Sequence, residues 1–399
     1  MKLSAWKVIV AWIPFALTAH AGDFTAELDE VRALAGLTKP PVVTVADGFE
    51  ATGTVKPIYF EALDWKGSPT KVFAWLGLPK NTADPVPGIV LVHGGGGTAF
   101  KNWVELWNQQ GFAAISIAVE GQTDVKTGKS WNRHSWAGPS RNGIYGDSDE
   151  ALKDQWMYHA VADTVLANSL LRSLPEVDAE KVGVMGISWG GVITSTVMGI
   201  DDRFAFAIPV YGCGNLATAG NQYGRALGNN ALYQKVWDPM IRLADARMPS
   251  LWFSWPGDQH FPLDLHAGCY QAAKGPHLVS LIPGMGHGHG AGWRKPDSYA
   301  FAKSIVADGK PWCEQTGISL DDGNARVEFR SKKPFEKALL VTTSDSGITG
   351  GREWQESPAE LSKDGDTWVV TATLPEKTTA WFVNLKSGDL TASSDFQEQ

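Results

Sequence analysis

The chain has 399 residues, of which 43% are hydrophobic and 20% are charged, and its net charge is −8. This length and balance are typical of a globular protein with one large domain and a small one, and they exclude extended disorder. The acidic balance argues against a protein that binds nucleic acid or an anionic membrane.

The N-terminus has the pattern of a signal peptide. Lys2 and Lys7 supply positive charge, residues 8–17 are a short apolar run, and residues 19–21 form an A-x-A cleavage site. We expect cleavage after Ala21 and a secreted or periplasmic mature protein with a net charge of −10, because no acidic residue is lost with the two lysines. The run is shorter than a membrane span, which disfavours a membrane anchor as the alternative, so no membrane association is expected after cleavage.

From residue 22 the pattern predicts a surface arm with a helical piece at 26–37, followed by strands that alternate with helices. Helices are predicted over 157–170, directly after Ser188, and over 297–306, and helix-like pieces at 212–247 suggest a cap. A segment rich in Trp, Gly, Ser and Asn at 131–148 predicts a long loop. The predicted strands are 59–63, 71–76, 88–92, 112–119, 182–187, 204–210, 251–255 and 277–282.

This alternation predicts an α/β-hydrolase fold, in which a mostly parallel sheet carries helices on both faces. The pattern changes near Trp312. Beyond it, apolar residues alternate along short strands separated by turns, which favours a small β-sandwich-like domain. We therefore predict a catalytic domain at 22–312 and a C-terminal β domain at 313–399.

A nucleophile motif lies at residues 186–190, which read Gly-Ile-Ser-Trp-Gly. This G-x-S-x-G pattern follows an apolar strand and precedes a helix, which is the setting of a nucleophile elbow. The sharp turn needs small flanking residues so that the Ser188 hydroxyl stands clear of the sheet. The alternative is a glycine-rich turn that only packs a helix against a strand.

An oxyanion hole is predicted in the loop after strand 88–92, where residues 93–97 read His-Gly-Gly-Gly-Gly. Gly95 or Gly96 would donate one backbone N–H and Trp189 the other. A phosphate-binding loop is disfavoured because no G-K-[ST] follows. A plain flexible turn remains the simpler alternative.

The acid and the base are expected downstream of the serine, in that order. Asp258 directly follows strand 251–255 and is preferred over Asp264, which lies deeper in the loop, because sites lie beyond strand C-termini. By the same argument His287, nearer its strand than His289, is the preferred base.

Other histidines and a metal site are weaker alternatives. His260 follows Asp258 on the wrong loop for the expected order, and His134 and His159 precede the elbow. A zinc site built from Asp258, His287 and His289 would leave the elbow unexplained. The proposed chemistry requires no metal and no organic cofactor.

Aromatic side chains are candidates for the substrate pocket, since the chain holds 18 tryptophans and exposed aromatics can grip sugar-like surfaces. Burial in the core is the usual alternative. The candidate pocket residues are Trp131, Trp136, Tyr145, Trp189, Trp293 and His289.

Three cysteines, Cys213, Cys269 and Cys313, have spacings that match no metal pattern. An exported protein could pair two of them, but the pairing cannot be assigned from the sequence.

The motifs at residues 93–97, 186–191, 257–258 and 286–290 resemble those of the α/β-hydrolase superfamily over residues 55–310. Within it the chain is similar to acetylxylan-esterase-like and dienelactone-hydrolase-like enzymes and to the catalytic domain of prolyl-oligopeptidase-type peptidases. This resemblance implies Ser188, Asp258 and His287 as the triad. The serine disfavours dienelactone chemistry, which uses a cysteine, and too few residues precede the first strand for a peptidase propeller.

The C-terminal residues 381–384 and 393–394 are similar to part of the PhoPQ-activated pathogenicity-related proteins. That match is short, and it implies no activity for this part of the chain.

The sequence thus predicts a secreted serine esterase that acts on an acylated or methyl-esterified carbohydrate. Two alternatives stay open. One is a secreted serine peptidase with the same triad, and the other is a non-catalytic polysaccharide-binding protein on a hydrolase scaffold. The oligomeric state is not predicted.

Overall fold

The computed structural model describes residues 23–80 and 83–399, so the signal peptide predicted at 1–21 lies outside the described residues. Its helices are α1 (Thr25–Arg32), α2 (Lys101–Gln109), α3 (Trp156–Arg172), α4 (Trp189–Val197), α5 (Gln222–Leu227), α6 (Met240–Leu243), α7 (Leu263–Ala272), α8 (His289–Trp293) and α9 (Pro296–Asp308). Among these, none combines the length and apolarity needed to cross a bilayer.

The strands of the first 300 residues form one large sheet and a separate hairpin. The hairpin consists of β6 and β7. The strands are β1 (Val43–Val45), β2 (Val55–Glu61), β3 (Lys71–Gly77), β4 (Val86–Val92), β5 (Ala113–Ile117), β6 (Gln122–Thr127), β7 (Ser130–Arg133), β8 (Val177–Ile187), β9 (Ala207–Val210), β10 (Ser250–Ser254) and β11 (His277–Leu281).

The large sheet runs in the spatial order β1-β2-β3-β5-β4-β8-β9-β10-β11. From β5 to β11 neighbouring strands are parallel, whereas β1, β2 and β3 pair antiparallel at one edge. The apolar run 89–92 of β4 is fully buried at the centre, as a strand covered on both faces must be. This topology confirms the predicted α/β-hydrolase fold.

Helices cover the sheet on both faces. α3 and α4 pack against each other and against β4 and β8. On the other face, Trp107 of α2 contacts Tyr299 of α9 at a ring-centroid distance of 4.7 Å. α2 is amphipathic, with Trp103, Val104 and Trp107 buried on the side that faces the sheet.

The C-terminal strands extend this sheet. They are β12 (Cys313–Asp321), β13 (Asn324–Ser331), β14 (Lys337–Thr343), β15 (Gln355–Asp364), β16 (Thr367–Thr373), β17 (Ala380–Ser387), β18 (Leu390–Ser393) and β19 (Gln397–Glu398).

β18 pairs with β11 through Val279 and Ser393, and the order continues β18-β17-β14-β15-β16-β13-β12. β15 changes partner along its length: residues 355–359 pair with β14 and residues 360–364 with β16. The strand-rich C-terminal region predicted from the sequence is therefore present. Its boundary at 312/313 stays a prediction.

Candidate active site

Ser188 occupies the turn between β8 and α4, in a conformation that side chains rarely adopt. Its φ is +60° and its ψ is −117°. The Ser188 N–H donates to the Val210 carbonyl at 2.9 Å, which holds the turn against the next strand. Because a non-glycine residue at positive φ is strained, the surrounding packing must hold it there, and such strain is typical of functional positions.

Glycines flank Ser188 because the backbone passes too close for any side chain. A Cβ atom on Gly186 would lie 2.0 Å from the Gly190 carbonyl oxygen, and one on Gly190 would lie 2.1 Å from the Val92 carbonyl oxygen. Larger residues would force α4 away from the ends of β4 and β8. The G-x-S-x-G pattern thus follows from the close approach of helix and strands.

Ser188, His287 and Asp258 form one chain of hydrogen bonds. The Ser188 Oγ lies 3.0 Å from Nε2 of His287, and Nδ1 of His287 lies 2.8 Å from Oδ2 of Asp258. The other carboxylate oxygen of Asp258 accepts the backbone N–H groups of His260 and Phe261, both at 2.9 Å. With its side chain buried and three donors aimed at it, Asp258 is fixed as an acceptor for the imidazole.

Aromatic rings flank the imidazole of His287. The Tyr211 ring stacks on it at 4.5 Å and the Phe261 ring lies nearly parallel to it at 6.0 Å. The Tyr211 hydroxyl donates to the Gly286 carbonyl at 2.8 Å, so it also holds the loop that carries His287. Burial raises the pKa of Tyr211 well above its usual value, with the charge of Asp258 adding to the effect.

The backbone N–H groups of Gly95 and Trp189, near Ser188, have no acceptor within residues 23–80 and 83–399. A Cβ atom on Gly95 would lie 3.0 Å from Cδ1 of Trp189, whereas one on Gly96 would meet nothing within 4 Å. Of the two donors considered from the sequence, Gly95 is therefore the one that lies against Trp189. An oxygen that bridges Gly95 and Trp189 would receive both hydrogen bonds.

Two histidines fix the loop that carries Gly95. The Gly94 N–H donates to Nε2 of His289 at 2.9 Å, and the Gly94 carbonyl lies 2.8 Å from Nδ1 of His93. Nε2 of His93 accepts the Val119 N–H at 3.1 Å, so Nδ1 carries the proton and donates.

Both histidines are held in the neutral form. Burial lowers the pKa of His93 to about 3 and the pKa of His289 to about 4. Nε2 of His289 holds the glycine loop in place by accepting the Gly94 N–H, and its place in the pocket lining stays a prediction.

The aromatic pocket candidates divide into two groups. Trp131 and Trp189 lie at the site: the Trp131 indole N–H donates to the Gly96 carbonyl at 2.8 Å, and Trp189 follows the nucleophile. Tyr145 and Trp293 are buried at 4% and 9% exposure, and Trp293 packs between Phe100 and Trp103. Tyr145 and Trp293 therefore pack behind the residues that border the site.

Trp136 is 46% exposed, but the structure does not bring it to Ser188. Its ring packs against Tyr59, and the Lys71 amine lies 4.9 Å above it, on the antiparallel edge of the sheet. The expected loop at 131–148 also begins as strand β7, so residues 131–133 belong to a hairpin.

The competing acid and bases have other partners. Asp264 lies on α7, where Thr349 contacts it at 3.5 Å and burial raises its pKa. The His260 ring lies 4.8 Å from His287 and contacts Gln222 at 2.7 Å. Burial lowers the pKa of His134 to about 4 and also lowers that of His159.

Within the described part of the chain, no group of three or more His, Cys, Asp or Glu side chains is arranged to hold a metal ion. His289, the third ligand of the conceivable zinc site, directs its Nε2 at Gly94. Cys213, Cys269 and Cys313 are buried and free.

One functional candidate was missed from the sequence. Arg141, in the irregular segment after β7, places its guanidinium 5.2 Å from the centroid of the Trp189 ring. In the sequence, Arg141 is only a basic residue within the aromatic segment 131–148, and this position does not indicate which groups its side chain contacts.

Part of the chain is similar in sequence to a known family. Residues 28–213 match the sequence model of the acetyl xylan esterase (AXE1) family. No protein with a curated description matches the chain in sequence.

Two solved structures are similar in fold. The acetyl xylan esterase from Paenibacillus sp. R4 is 22% identical, with a TM-score of 0.52, over 67% of this chain and 90% of that one. Acetyl xylan esterase 1 from Thermoanaerobacterium sp. JW/SL YS485 is 19% identical, with a TM-score of 0.51, over 66% of this chain and 89% of that one.

Proposed function

We propose that this chain is a serine hydrolase of the α/β-hydrolase superfamily, in the carboxylic-ester class, and that it hydrolyses acyl or methyl esters of carbohydrates through Ser188, His287 and Asp258. The observation that carries the proposal is the hydrogen-bonded chain from the Ser188 hydroxyl through His287 to buried Asp258, beside two backbone N–H groups with no acceptor.

In the proposed mechanism, the Ser188 Oγ forms a bond to the ester carbonyl carbon while Nε2 of His287 takes its proton. Asp258 orients the imidazole and stabilises its charged form. The N–H groups of Gly95 and Trp189 bind the oxyanion. The intermediate then collapses, and the leaving alcohol departs with the proton from His287.

The acyl-enzyme is hydrolysed by the same groups. His287 takes a proton from water, the hydroxide forms a bond to the acyl carbon, and the acid leaves as Ser188 recovers its proton. The part of the site that binds the remainder of the substrate would be formed by Trp131 and Trp189 with the 212–247 segment, of which Tyr223 packs on Trp189 at 5.5 Å.

The test is hydrolysis of an aryl acetate by the purified protein and by Ser188→Ala. We expect kcat to fall by a factor on the order of 10³ or more, since removing one member of such a unit removes most of its effect. Covalent labelling by a fluorophosphonate should disappear in the same variant. Full esterase activity in Ser188→Ala would disprove the assignment.

A carbohydrate ester is the favoured substrate because the matched family acts on acetylated xylan by its description, and because tryptophans border the site. Acetate release from acetylated xylan and methanol release from methyl-esterified pectin would identify the ester. Hydrolysis of aryl acetates without any release of acetate or methanol from either polymer would contradict a carbohydrate substrate.

A peptidase with the same triad is the second candidate. Comparison of an aryl acetate with a peptide anilide separates the two, since we expect kcat/KM on the ester to be higher by orders of magnitude. We also propose that the mature protein is secreted or periplasmic, which N-terminal sequencing of the exported protein would test by finding Gly22 as the first residue.

A further inference from the structure

Arg141 presents a charged donor at the edge of the candidate oxyanion hole. A Cβ atom on Gly95 would lie 2.8 Å from Nη2 of Arg141. This Cβ position is two covalent bonds of about 1.5 Å each, Cβ–Cα and Cα–N, from the Gly95 amide nitrogen. Nη2 of Arg141 therefore lies within about 6 Å of that nitrogen. The guanidinium also lies over the ring of Trp189, the other candidate donor.

The rest of the guanidinium is held by protein groups. Nη1 donates to the Gly143 carbonyl at 2.5 Å, and Nε lies 3.5 Å from a carboxylate oxygen of Glu120. Nη2 and Nε have no hydrogen-bond partner among the described residues, and Nε is buried. The side chain is 20% exposed, and Nη2 is the guanidinium atom that comes nearest to Gly95.

The charge around Arg141 is not balanced. Glu120 is the carboxylate beside it, and Arg133 acts on the same carboxylate. The Arg133 guanidinium donates to the carbonyls of Glu120 and Gly138, so it has no comparable free edge. Two guanidinium groups and one carboxylate leave one positive charge, and the two histidines of the adjacent loop are neutral.

A further cation lies near the same loop. The Lys126 amine is 4.0 Å from the centroid of the Trp131 ring, and Trp131 donates to the Gly96 carbonyl. Lys126 and Arg141 are thus two cations near this loop, in a chain whose net charge is −8. A desolvated charge is costly to leave unpaired, so an anionic partner is expected there.

We propose that Nη2 of Arg141 binds a carboxylate carried by the substrate, and that the site selects esters on sugars that bear a free carboxylate, such as acetylated uronate chains. This rests on the proposed esterase function. The carboxylate would accept a charge-assisted hydrogen bond from Nη2 in the ground state, so Arg141 would lower KM for acidic substrates.

The test compares acetylated oligogalacturonides whose carboxylates are free with the same oligosaccharides after methyl esterification. The acetyl group and the sugar ring are unchanged, whereas the carboxylate loses its charge and gains a methyl group. We expect wild-type kcat/KM for acetate release to be about tenfold or more higher on the free acid. Arg141→Met should abolish that preference, because it should raise KM for the free acid much more than KM for the methylated substrate.

Two further variants sharpen the outcome. Arg141→Lys, which keeps the charge but loses the fixed planar edge, should retain part of the preference. Arg326→Met removes an exposed arginine of β13 that pairs with Glu328, and should behave as wild type. An equal loss on both substrates through kcat would overturn the proposal, because Arg141 would then serve the oxyanion of every ester. An unchanged preference would also overturn it.

A binding measurement separates this proposal from the esterase function. Ser188→Ala titrated with unesterified oligogalacturonide should bind at least about tenfold more tightly than it binds xylo-oligosaccharide of equal length. The added Arg141→Met change should remove the difference. Equal binding of both sugars would contradict the role of Arg141 even if esterase activity is established, and selective binding without any esterase activity would contradict the proposed function alone.

Discussion

At the scale of single residues, the geometry of the site depends on side chains that take no part in the proposed reaction. Gly94 offers its N–H to His289 and its carbonyl to His93, so the adjacent N–H of Gly95 is left free and fixed in direction. A backbone donor stabilises an oxyanion well only if it is already oriented before charge develops. If Gly95 acts as proposed, His289 is a positioning residue for its loop.

His289→Phe tests this role, since it keeps an aromatic ring against Phe100 and Trp293 but removes the acceptor for the Gly94 N–H. We expect kcat on an aryl acetate to fall by roughly 10- to 100-fold with little change in KM, because the contact would matter in the transition state.

The conservative control is His289→Gln, whose side-chain oxygen can take the place of Nε2 as the acceptor and should recover part of kcat. If His289→Phe and His289→Gln were equally impaired, or if KM rather than kcat changed, the hydrogen bond to Gly94 would not be what matters at this position.

At the scale of elements, the C-terminal region supports the loop that carries the acid. The 3₁₀ turn Thr349–Gly351 packs against this loop, and the Thr349 hydroxyl accepts the Leu263 N–H at 2.7 Å. A Cβ atom on Gly350 would lie 2.0 Å from the Asp258 carbonyl oxygen. Through this turn, the C-terminal region therefore constrains the position of Asp258.

Gly350→Ala should displace the Asp258 loop and lower kcat by roughly tenfold, because an error of about 1 Å in a catalytic group can cost up to 10²-fold. Gly351→Ala is the matched control. Its nearest neighbour would be Ile348 at 3.5 Å, an ordinary contact, so wild-type kcat is expected. Equal activity in both variants would mean that the turn does not constrain the acid.

Much of this organisation follows from local sequence. The apolar runs from 88–92 to 277–282 predict strands because buried parallel strands are continuous apolar runs, and Ser188, Asp258 and His287 stand out because each follows such a run. The sequence does not predict α2 and α7, since mixed segments hide their periodicity, and it predicts a loop at residues 131–133, which the structure places in β7.

The remaining features depend on contacts between distant segments. The pairing of Gly94 with His289 joins residues 195 positions apart, and the position of Arg141 over Trp189 is set by Glu120 and Gly143. Nothing in the local pattern specifies such partners. The same applies to β18, whose single pairing with β11 extends the sheet into the C-terminal region.

At the scale of the whole molecule, stability should depend on pH through histidines buried in neutral form. The ring of His266 is fully buried between Trp252 and Tyr270, and burial lowers its pKa to about 4. The unfolded chain binds a proton at this residue near pH 6.5 and the native state does not. Its contribution to the free energy of unfolding is therefore fully present above pH 6.5 and is lost as the pH falls towards 4.

His266→Leu should remove that contribution. Urea unfolding at pH 7, 5.5 and 4.5 is expected to show a smaller loss of unfolding free energy in the variant, by up to about 3 kcal/mol across this range. Parallel curves for the two proteins would show that His266 does not titrate differently in the folded and unfolded states.

The central claim is that one serine of this chain is activated by His287 and Asp258 for attack on a carbonyl. The most direct measurement is mass-spectrometric mapping of the adduct formed with a fluorophosphonate. We predict a single modified peptide carrying the adduct on Ser188, formed at a rate reduced by a factor on the order of 10³ in His287→Ala. An adduct on another residue, or labelling of Ser188 at the wild-type rate without His287, would contradict the account.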